Sequence, residues 1–279
     1  MTRHIVVGVD GSAPAAAAVE WAAEDAQRRG SAVRIVHICE QWRYGSHGVE
    51  YCQGTLGAAA DRVRALTRDV EVSTDLLTGN VVDTLIAESA TADSVVLGSR
   101  GLGGFAEMLL GSVGLGVAGH AAGPVVIVRG PSVVRYGQVV VGYDGSEHSE
   151  AAMLYAVDQA RARGVPLHVV YAWQMPAFSP YAMAYSTMLS DIFEEETRAA
   201  AERVVPWREK NPDVTITDDQ VTGHPVNALI QAGGTADLVV VGSRGLGGFA
   251  SAVLGSVSHA VLHHLTCPIA VVRPRAKQP

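Results

Sequence analysis

The segment Gly98–Ser112, GSRGLGGFAEMLLGS, returns at Gly242–Ser256 as GSRGLGGFASAVLGS, 144 positions later and with three of its fifteen residues changed. A sequence that repeats itself in this way is built from copies of one folding unit, and the repeat constrains the fold before any single residue does. Other segments carry the same register. Ile5–Ser12 (IVVGVDGS) matches Val139–Ser146 (VVVGYDGS), and Val33–Ile38 (VRIVHI) matches Leu167–Ala172 (LHVVYA), both at an offset of 134. Leu77–Gly79 (LTG) matches Val221–Gly223 (VTG) at 144, so the second copy holds ten more residues between its second and third strands. The extra length falls around Trp173–Glu196, where QMPAFSPYAMAYSTM reads as a long loop before a helix.

Each copy alternates short β-branched runs with helical patterns. In the first, IVVGV, VRIVHI, VEVST, SVVLGS and PVVIVR are the runs, separated by AAAAVEWAAEDAQRRG, AAADRVRALTRD, VVDTLIAESA and SVGLGVAGHAAG. Near-continuous apolar strands alternating with helices predict a parallel sheet covered on both faces. The expected fold class is therefore α/β: two tandem Rossmann-like domains, residues 1–133 and 134–279, each a five-stranded parallel sheet flanked by helices. The join is expected near Gly130–Gly137, GPSVVRYG.

Composition narrows the function classes. Hydrophobic residues make up 48% of the 279, which is globular, and the net charge of −7 argues against a nucleic-acid partner, whose binders carry a basic footprint. Met108–Val128 lacks acidic and lysine or arginine side chains, but its glycines and Pro124 suit a helix end and a buried strand better than a membrane span. The opening MTRHIVVGVD enters a strand directly, without the apolar run of a secretory signal. The three cysteines, Cys39, Cys52 and Cys267, are odd in number and lack CxxC spacing. They predict neither a disulfide framework nor a zinc site, and a cytoplasmic location follows as the expectation.

The repeated glycine segment follows an apolar strand end, where open parallel sheets place their ligands. Its spacing is G-x2-G-x9-G-S: Gly98, Gly101, Gly111, Ser112, and again Gly242, Gly245, Gly255, Ser256. Glycine lets backbone amides approach a ligand, and Gly111-Ser112 precedes an apolar helical stretch whose free amides suit an anion. Phosphate cradling is the chemistry this predicts. GxxxxGK[ST] is absent, and the GxG at Gly101, Gly103 and Gly104 does not follow the first strand as a dinucleotide fingerprint does. Asp10 and Asp144 end the first strand of each copy. Two roles stay open for them: accepting hydrogen bonds from a ribose or base, or capping the helix that follows.

VGVDGS after the first strand, VHI after the second, and G-x2-G-x9-G-S before GPVVIVR or CPIAVVR resemble the universal stress protein family, over nearly the whole chain and in tandem. The resemblance implies an ATP-binding α/β domain that dimerises through its last strand. It implies that Asp10 and Asp144 contact adenosine and that Ile38 and Ala172 offer backbone contacts to adenine. Gly98, Gly101, Gly111, Ser112 and Val113 would hold ribose and phosphates in one copy, and Gly242, Gly245, Gly255, Ser256 and Val257 in the other. ATP, with Mg2+, is the cofactor expected, in a homodimer serving a regulatory protein partner, without nucleic acid or membrane. Arg100 and Arg244 fall in the x2 spacer, where an arginine can screen phosphate charge. Copy one departs at Gly114-Leu115-Gly116, where copy two has Ser258-His259-Ala260, and at Gly123, where copy two has Cys267. Interior glycines weaken a helix, so the phosphate end of copy one is expected to be the weaker. His37 against Tyr171 and Val9 against Tyr143 predict unequal adenine pockets.

Other constellations are discounted. His259, His263 and His264 lie on a predicted helix where i, i+4 spacing can hold a metal, but no third ligand is evident and copy one keeps only His120. Trp21 and Tyr155 read as core, Glu194–Glu196 as a solvated helix start, and no serine nucleophile elbow is present. Three functional readings remain: an ATP-binding stress-response regulator, a slow ATP hydrolase or phosphotransferase, and a nucleotide-free scaffold. In the scaffold, Val125–Arg129 and Ile269–Arg273 would pair the halves. Efficient phosphoryl transfer wants a protein-held metal and a base that the motif does not supply.

Overall fold

A computed structural model of the chain describes residues 3–39, 48–102, 110–130, 134–173, 186–246 and 253–275. Ten strands form one sheet in the order β3-β2-β1-β4-β5-β10-β9-β6-β7-β8. The first half supplies β1 (His4–Gly8), β2 (Ala32–Ile38), β3 (Val72–Leu77), β4 (Ser94–Gly98) and β5 (Val125–Val128). The second supplies β6 (Val139–Gly142), β7 (Leu167–Trp173), β8 (Ile216–Thr222), β9 (Leu238–Gly242) and β10 (Ile269–Val272). Within each half every pairing is parallel. The seam between halves is antiparallel, with Ile269 opposite Ile127, Ala270 opposite Val126 and Val271 opposite Val125. The last-strand pairing that the resemblance implies for two copies is made here inside one chain.

Eight helices are described: α1 (Ala13–Arg29), α2 (Gly48–Leu66), α3 (Val81–Ser89), α4 (Ser112–His120), α5 (Glu147–Arg163), α6 (Ser186–Lys210), α7 (Pro225–Gly233) and α8 (Ser256–His264). They lie on both faces, which is why the central strands are apolar on both. Ile5 and Val7 point into a cluster with Ala22, Leu56, Met153 and Val204, while Val6 points into one with Leu85, Val117, Leu229 and Val261. Each cluster runs through both halves. α1 starts at Ser12, whose Oγ accepts from Ala15 N at 3.3 Å, and ends at Gly30 with φ 61°. α5 repeats this with Ser146 and Gly164. Side-chain caps at one end and left-handed glycines at the other satisfy groups a helix terminus leaves open.

The halves also meet along α1 and α5. Asp25 and Gln159 are fully buried there, and Gln159 Nε2 donates to Asp25 Oδ2 and to Tyr155 Oη, both at 3.1 Å. Arg29 and Arg163 pair with Asp25 at 3.5 and 3.4 Å. Arg163 lies over the ring of Trp21, and Arg29 over that of Tyr155. Trp21 and Tyr155 are buried, as their helical positions predict, and they belong to the seam between halves.

Several expectations shift. The third strand begins at Val72 and continues through Leu77, because Leu76 packs on the core and Asp75 pairs with Arg34 at 2.7 Å. Glu194–Glu196 stand inside α6, which starts at Ser186. Glu196 accepts from Tyr171 Oη at 3.5 Å, so this triplet is no helix start. Most of QMPAFSPYAMAYSTM, together with Gly103 and Gly104, lies outside the described residues. The cysteine expectation is overturned: Cys39 and Cys52 form a disulfide. α2 packs back across the end of β2 and sets the two Cα atoms 6.3 Å apart, within the range of about 4.4–6.8 Å that a disulfide spans. No described helix is long and apolar enough to cross a membrane.

Candidate functional site

The carboxyl ends of β1 and β4 open between α1 and α4, and a cavity of about 270 Å³ lies there. β6 and β9 open in the same way, onto a cavity of about 370 Å³. Asp10, Ile38, Gly98, Gly101, Gly111, Ser112 and Val113 all line the first. Asp144, Ala172, Gly242, Gly245, Gly255, Ser256 and Val257 all line the second. Residues from four separate segments of each half thus converge on one crevice.

The glycines shape this crevice by what they omit. A Cβ on Gly98 would stand 2.6 Å from Pro14 C, and one on Gly242 2.8 Å from His148 C. Each strand end therefore presses against the first turn of α1 or α5, too close for any side chain. A Cβ on Gly101 or Gly245 would overlap Asp10 Oδ2 or Asp144 Oδ2. That closeness allows a clamp: Asp10 accepts from Leu102 N at 2.9 Å and Ser12 N at 3.0 Å, and Asp144 from Leu246 N and Ser146 N, both at 3.0 Å. The role left open for the aspartates has a structural part. The N-caps are Ser12 and Ser146, and each aspartate ties the turn after its strand to the glycine segment. At Asp144 burial opposes ionisation, but the bonds from Ser146 and Leu246 prevail and hold the carboxyl below its usual range.

Gly111 and Gly255 occupy the N-cap positions of α4 and α8 with extended backbone and no side-chain cap. Their own amides are held by Ser99 O and Ser243 O, both at 2.7 Å. Ser112 and Ser256 follow, exposed at the mouth of each cavity. Uncapped first-turn amides beside an exposed hydroxyl make a site of positive potential open to an anion. Leu85 and Val81 close the opposite wall in the first half, and Leu229 and Pro225 in the second.

The helix after the motif forms in the first half despite Gly114, Gly116 and Gly119, and it is as long as its counterpart. These glycines admit neighbours. A Cβ on Gly116 would stand 3.0 Å from Val82, and one on Gly119 would overlap Val253 of the other half. Gly123 faces the Arg275 guanidinium.

Arg100 and Arg244 both line their cavities, and here the halves part. Arg244 Nε donates to His148 Nε2 at 3.2 Å, and His148 Nδ1 lies 2.9 Å from Ser243 Oγ. Burial, then Arg244 and Arg273, push His148 below the usual histidine range. In the first half the matching position is Pro14. Tyr143 bonds Glu150, and burial with that bond raises its phenol to about 12. The bonds of His148 to Ser243 and Arg244 were not legible in the sequence, because those partners are 95 and 96 positions away. The rings of His259 and His263 lie tilted at 42° to each other, with centroids 4.7 Å apart.

Compared with known protein families, residues 1–129 and 135–273 each match the universal stress protein family. A universal stress protein of Mycolicibacterium smegmatis is 35% identical over 295 aligned residues, covering 97% of each chain. One of Mycobacterium tuberculosis is 35% identical over 294, covering 96% of each. Among solved structures, a universal stress protein from Archaeoglobus fulgidus superposes with a TM-score of 0.73 over 99% of this chain and 97% of that one, at 20% identity.

Proposed function

The chain belongs to the universal stress protein family, and on that premise we propose that it is a regulatory protein that binds one ATP, as its Mg2+ complex, in each half. The observation that carries this reading is the convergence of two seven-residue sets, 134 to 144 positions apart in sequence, on two equivalent cavities. Adenine would lie against the backbone of Ile38 or Ala172, with Leu85 or Leu229 on its apolar side. Ribose would reach the rim formed by Asp10 and Gly101, or Asp144 and Gly245. The phosphates would meet the amides of Ser112 and Val113, or Ser256 and Val257, where the helix dipole favours negative charge. Arg100 and Arg244 stand on the same rims to offset the remaining charge. The division into residues 1–133 and 134–279 then separates two binding units that share one sheet.

The reading is regulatory. A nucleotide alters a partner protein's choice only if two conformations hold it with different affinity. ATP hydrolysis would instead require a positioned base and a metal-holding group at the phosphate end, and the fourteen residues supply no carboxylate beyond the two clamped aspartates.

The test is to purify the chain without added nucleotide, denature it, and identify what is released by chromatography and mass. Two ATP per chain is the expected result. Ser112→Asp and Ser256→Asp are each expected to remove one, because a carboxylate at the first helical position suits the helix but repels phosphate. No nucleotide, together with no melting shift in millimolar Mg-ATP, overturns the reading in favour of a scaffold. Steady phosphate release abolished by the serine variants would overturn its regulatory part in favour of a hydrolase.

A further inference from the structure

At the end of β2, in the wall of the first cavity, a second constellation holds chemistry that the nucleotide reading does not use. Among the described residues, His37, Cys39 and Cys52 form the group disposed to hold a metal, with one ligand atom from each lying within 4.8 Å of the others. All three are buried, at 2%, 4% and 0% exposure. His37 Nδ1 lies 2.7 Å from Val9 O. A carbonyl only accepts, so Nδ1 carries the proton and the lone pair of the neutral ring is on Nε2. That Nε2 is buried with no hydrogen-bond partner. A histidine whose one nitrogen donates to a backbone carbonyl while the other is left with its lone pair is oriented as metal-ligating histidines are. Two thiols and one imidazole are the donors that thiophilic d10 cations select, and zinc takes three such ligands with a fourth position left open.

The second half replaces the whole group. Tyr171 and Trp173 occupy the positions of His37 and Cys39. Glu196, 144 positions beyond Cys52, takes the place of that thiol and bonds the Tyr171 hydroxyl. Where the donor set is lost in the second half, a tyrosine–glutamate bond fills the corner, so the three donors of the first half form one unit.

We propose that this corner is a redox-gated zinc-class site specific to the first half. In the oxidised state Cys39 and Cys52 are joined as a disulfide. A dithiol reductant breaks the Sγ–Sγ bond by giving two electrons and two protons, and leaves as its own disulfide. Zn2+ then binds to Cys39 Sγ, Cys52 Sγ and His37 Nε2, and the two thiol protons pass to solvent. His37 and Ile38 both line the nucleotide cavity, so the site shares a wall with it.

The experiment uses the full chain, stripped of metal with a chelator and titrated with Co2+ before and after reduction by a phosphine. The reduced chain is expected to bind one Co2+ with an intense thiolate-to-cobalt charge-transfer absorption that Zn2+ abolishes. The oxidised chain is expected to show none. Cys39→Ser and Cys52→Ser should lose the band and Cys267→Ser should keep it. Alkylation of the denatured chain should tag Cys267 alone after oxidation and all three cysteines after reduction. A reduced chain that is folded by circular dichroism but gives no charge-transfer band overturns the proposal, as does a band that survives both serine substitutions. Cobalt bound without that band would be held by imidazoles such as His259 and His263, and also overturns it. Should the serine variants fail to fold, the oxidised and reduced wild-type chains still decide. None of these readouts involves nucleotide, so the nucleotide reading and this one fail separately.

Discussion

At Asp10 and Asp144 the two halves do the same thing to within 0.1 Å: each carboxylate accepts from two backbone amides, at 2.9 and 3.0 Å in the first half and at 3.0 Å twice in the second. A few residues away they have diverged. His37 faces Tyr171 across the pseudo-symmetry, Cys52 faces Glu196, Pro14 faces His148, and the cavities measure about 270 and 370 Å³. The glycine contacts, the uncapped helix starts and the aspartate carboxylates that tie backbone amides together are the same in both. The side chains around them are not: His37, Cys52 and Pro14 give way to Tyr171, Glu196 and His148. The comparison teaches that the crevice itself is held by main-chain geometry, while its walls have been free to take different chemistry in each half.

The interface between the halves offers the largest effect. Asp25 and Gln159 are equivalent positions, yet only Asp25 carries the charge that offsets Arg29 and Arg163. Asp25→Ala leaves two largely buried cations facing each other and is expected to cost about 3–5 kcal/mol by denaturant unfolding. Gln159→Ala removes an uncharged side chain that bonds Asp25, Arg163 and Tyr155 at the mirror position, and should cost about 1–3 kcal/mol. Equal costs would break the claim that the seam is electrostatically one-sided. Next come Gly98→Ala and Gly242→Ala. Both added methyls meet helix backbone, so both are expected to destabilise by about 2–3 kcal/mol, and to the same extent. A tolerated alanine in one half would show that its crevice is not fixed by backbone. Asp10→Asn and Asp144→Asn keep the shape and one acceptor of the clamp, and should cost about 1–2 kcal/mol each by the same unfolding measurement.

The smallest effects are those of pH, and they sharpen the contrast. Asp144 has a folded pKa below its unfolded value of about 3.9. Its contribution is present above that value and lost as pH falls through the lower folded one, so Asp144→Asn should flatten the acid limb of stability against pH. His148 is held below its unfolded value of about 6.5. Below that pH the unfolded chain takes the proton first, and stability falls as pH drops through the folded value. His148→Gln should reduce the change in melting temperature between pH 7 and 5. Replacing Pro14, its non-titrating counterpart, should leave that change intact.

Much of the fold was legible because duplication prints each signal twice. β1, β2, β4 and β5 follow from local residues, whereas β3 runs three residues past the expected VEVST and the caps of α1 and α5 fall on Ser12 and Ser146. The fourteen residues all line the two crevices: the aspartates, glycines and serines stand where a parallel sheet opens at its carboxyl edge, while Ile38, Val113, Ala172 and Val257 came only with the resemblance. What escaped depends on distance in sequence. Cys39 and Cys52 are separated by 13 positions across a turn and the start of a helix, with no spacing that announces a pair. Asp25 reads as one polar position in an alanine-rich helix until α5 supplies Gln159 and Arg163. Gly114 and Gly119 read as damage to a helix, whereas they make room for Ile127 and for Val253 of the other half. The aspartates were half legible: their place was readable, but their bonds to Leu102 and Leu246 were not.

The antiparallel seam of β5 and β10 has a consequence for how such a chain can evolve and assemble. By joining its own last strands it places β5 and β10 in the middle of the sheet, where neither offers an edge to another chain, and leaves β3 and β8 as the outer strands. Two unlike subunits would have to find one another and would exchange with like ones. Here the tether supplies a permanent high effective concentration of the correct mate. The pair is always one of each, at fixed stoichiometry and without subunit exchange. A cysteine pair confined to one member and a histidine–arginine contact confined to the other therefore meet in every molecule, in a mixed dimer that cannot be diluted apart.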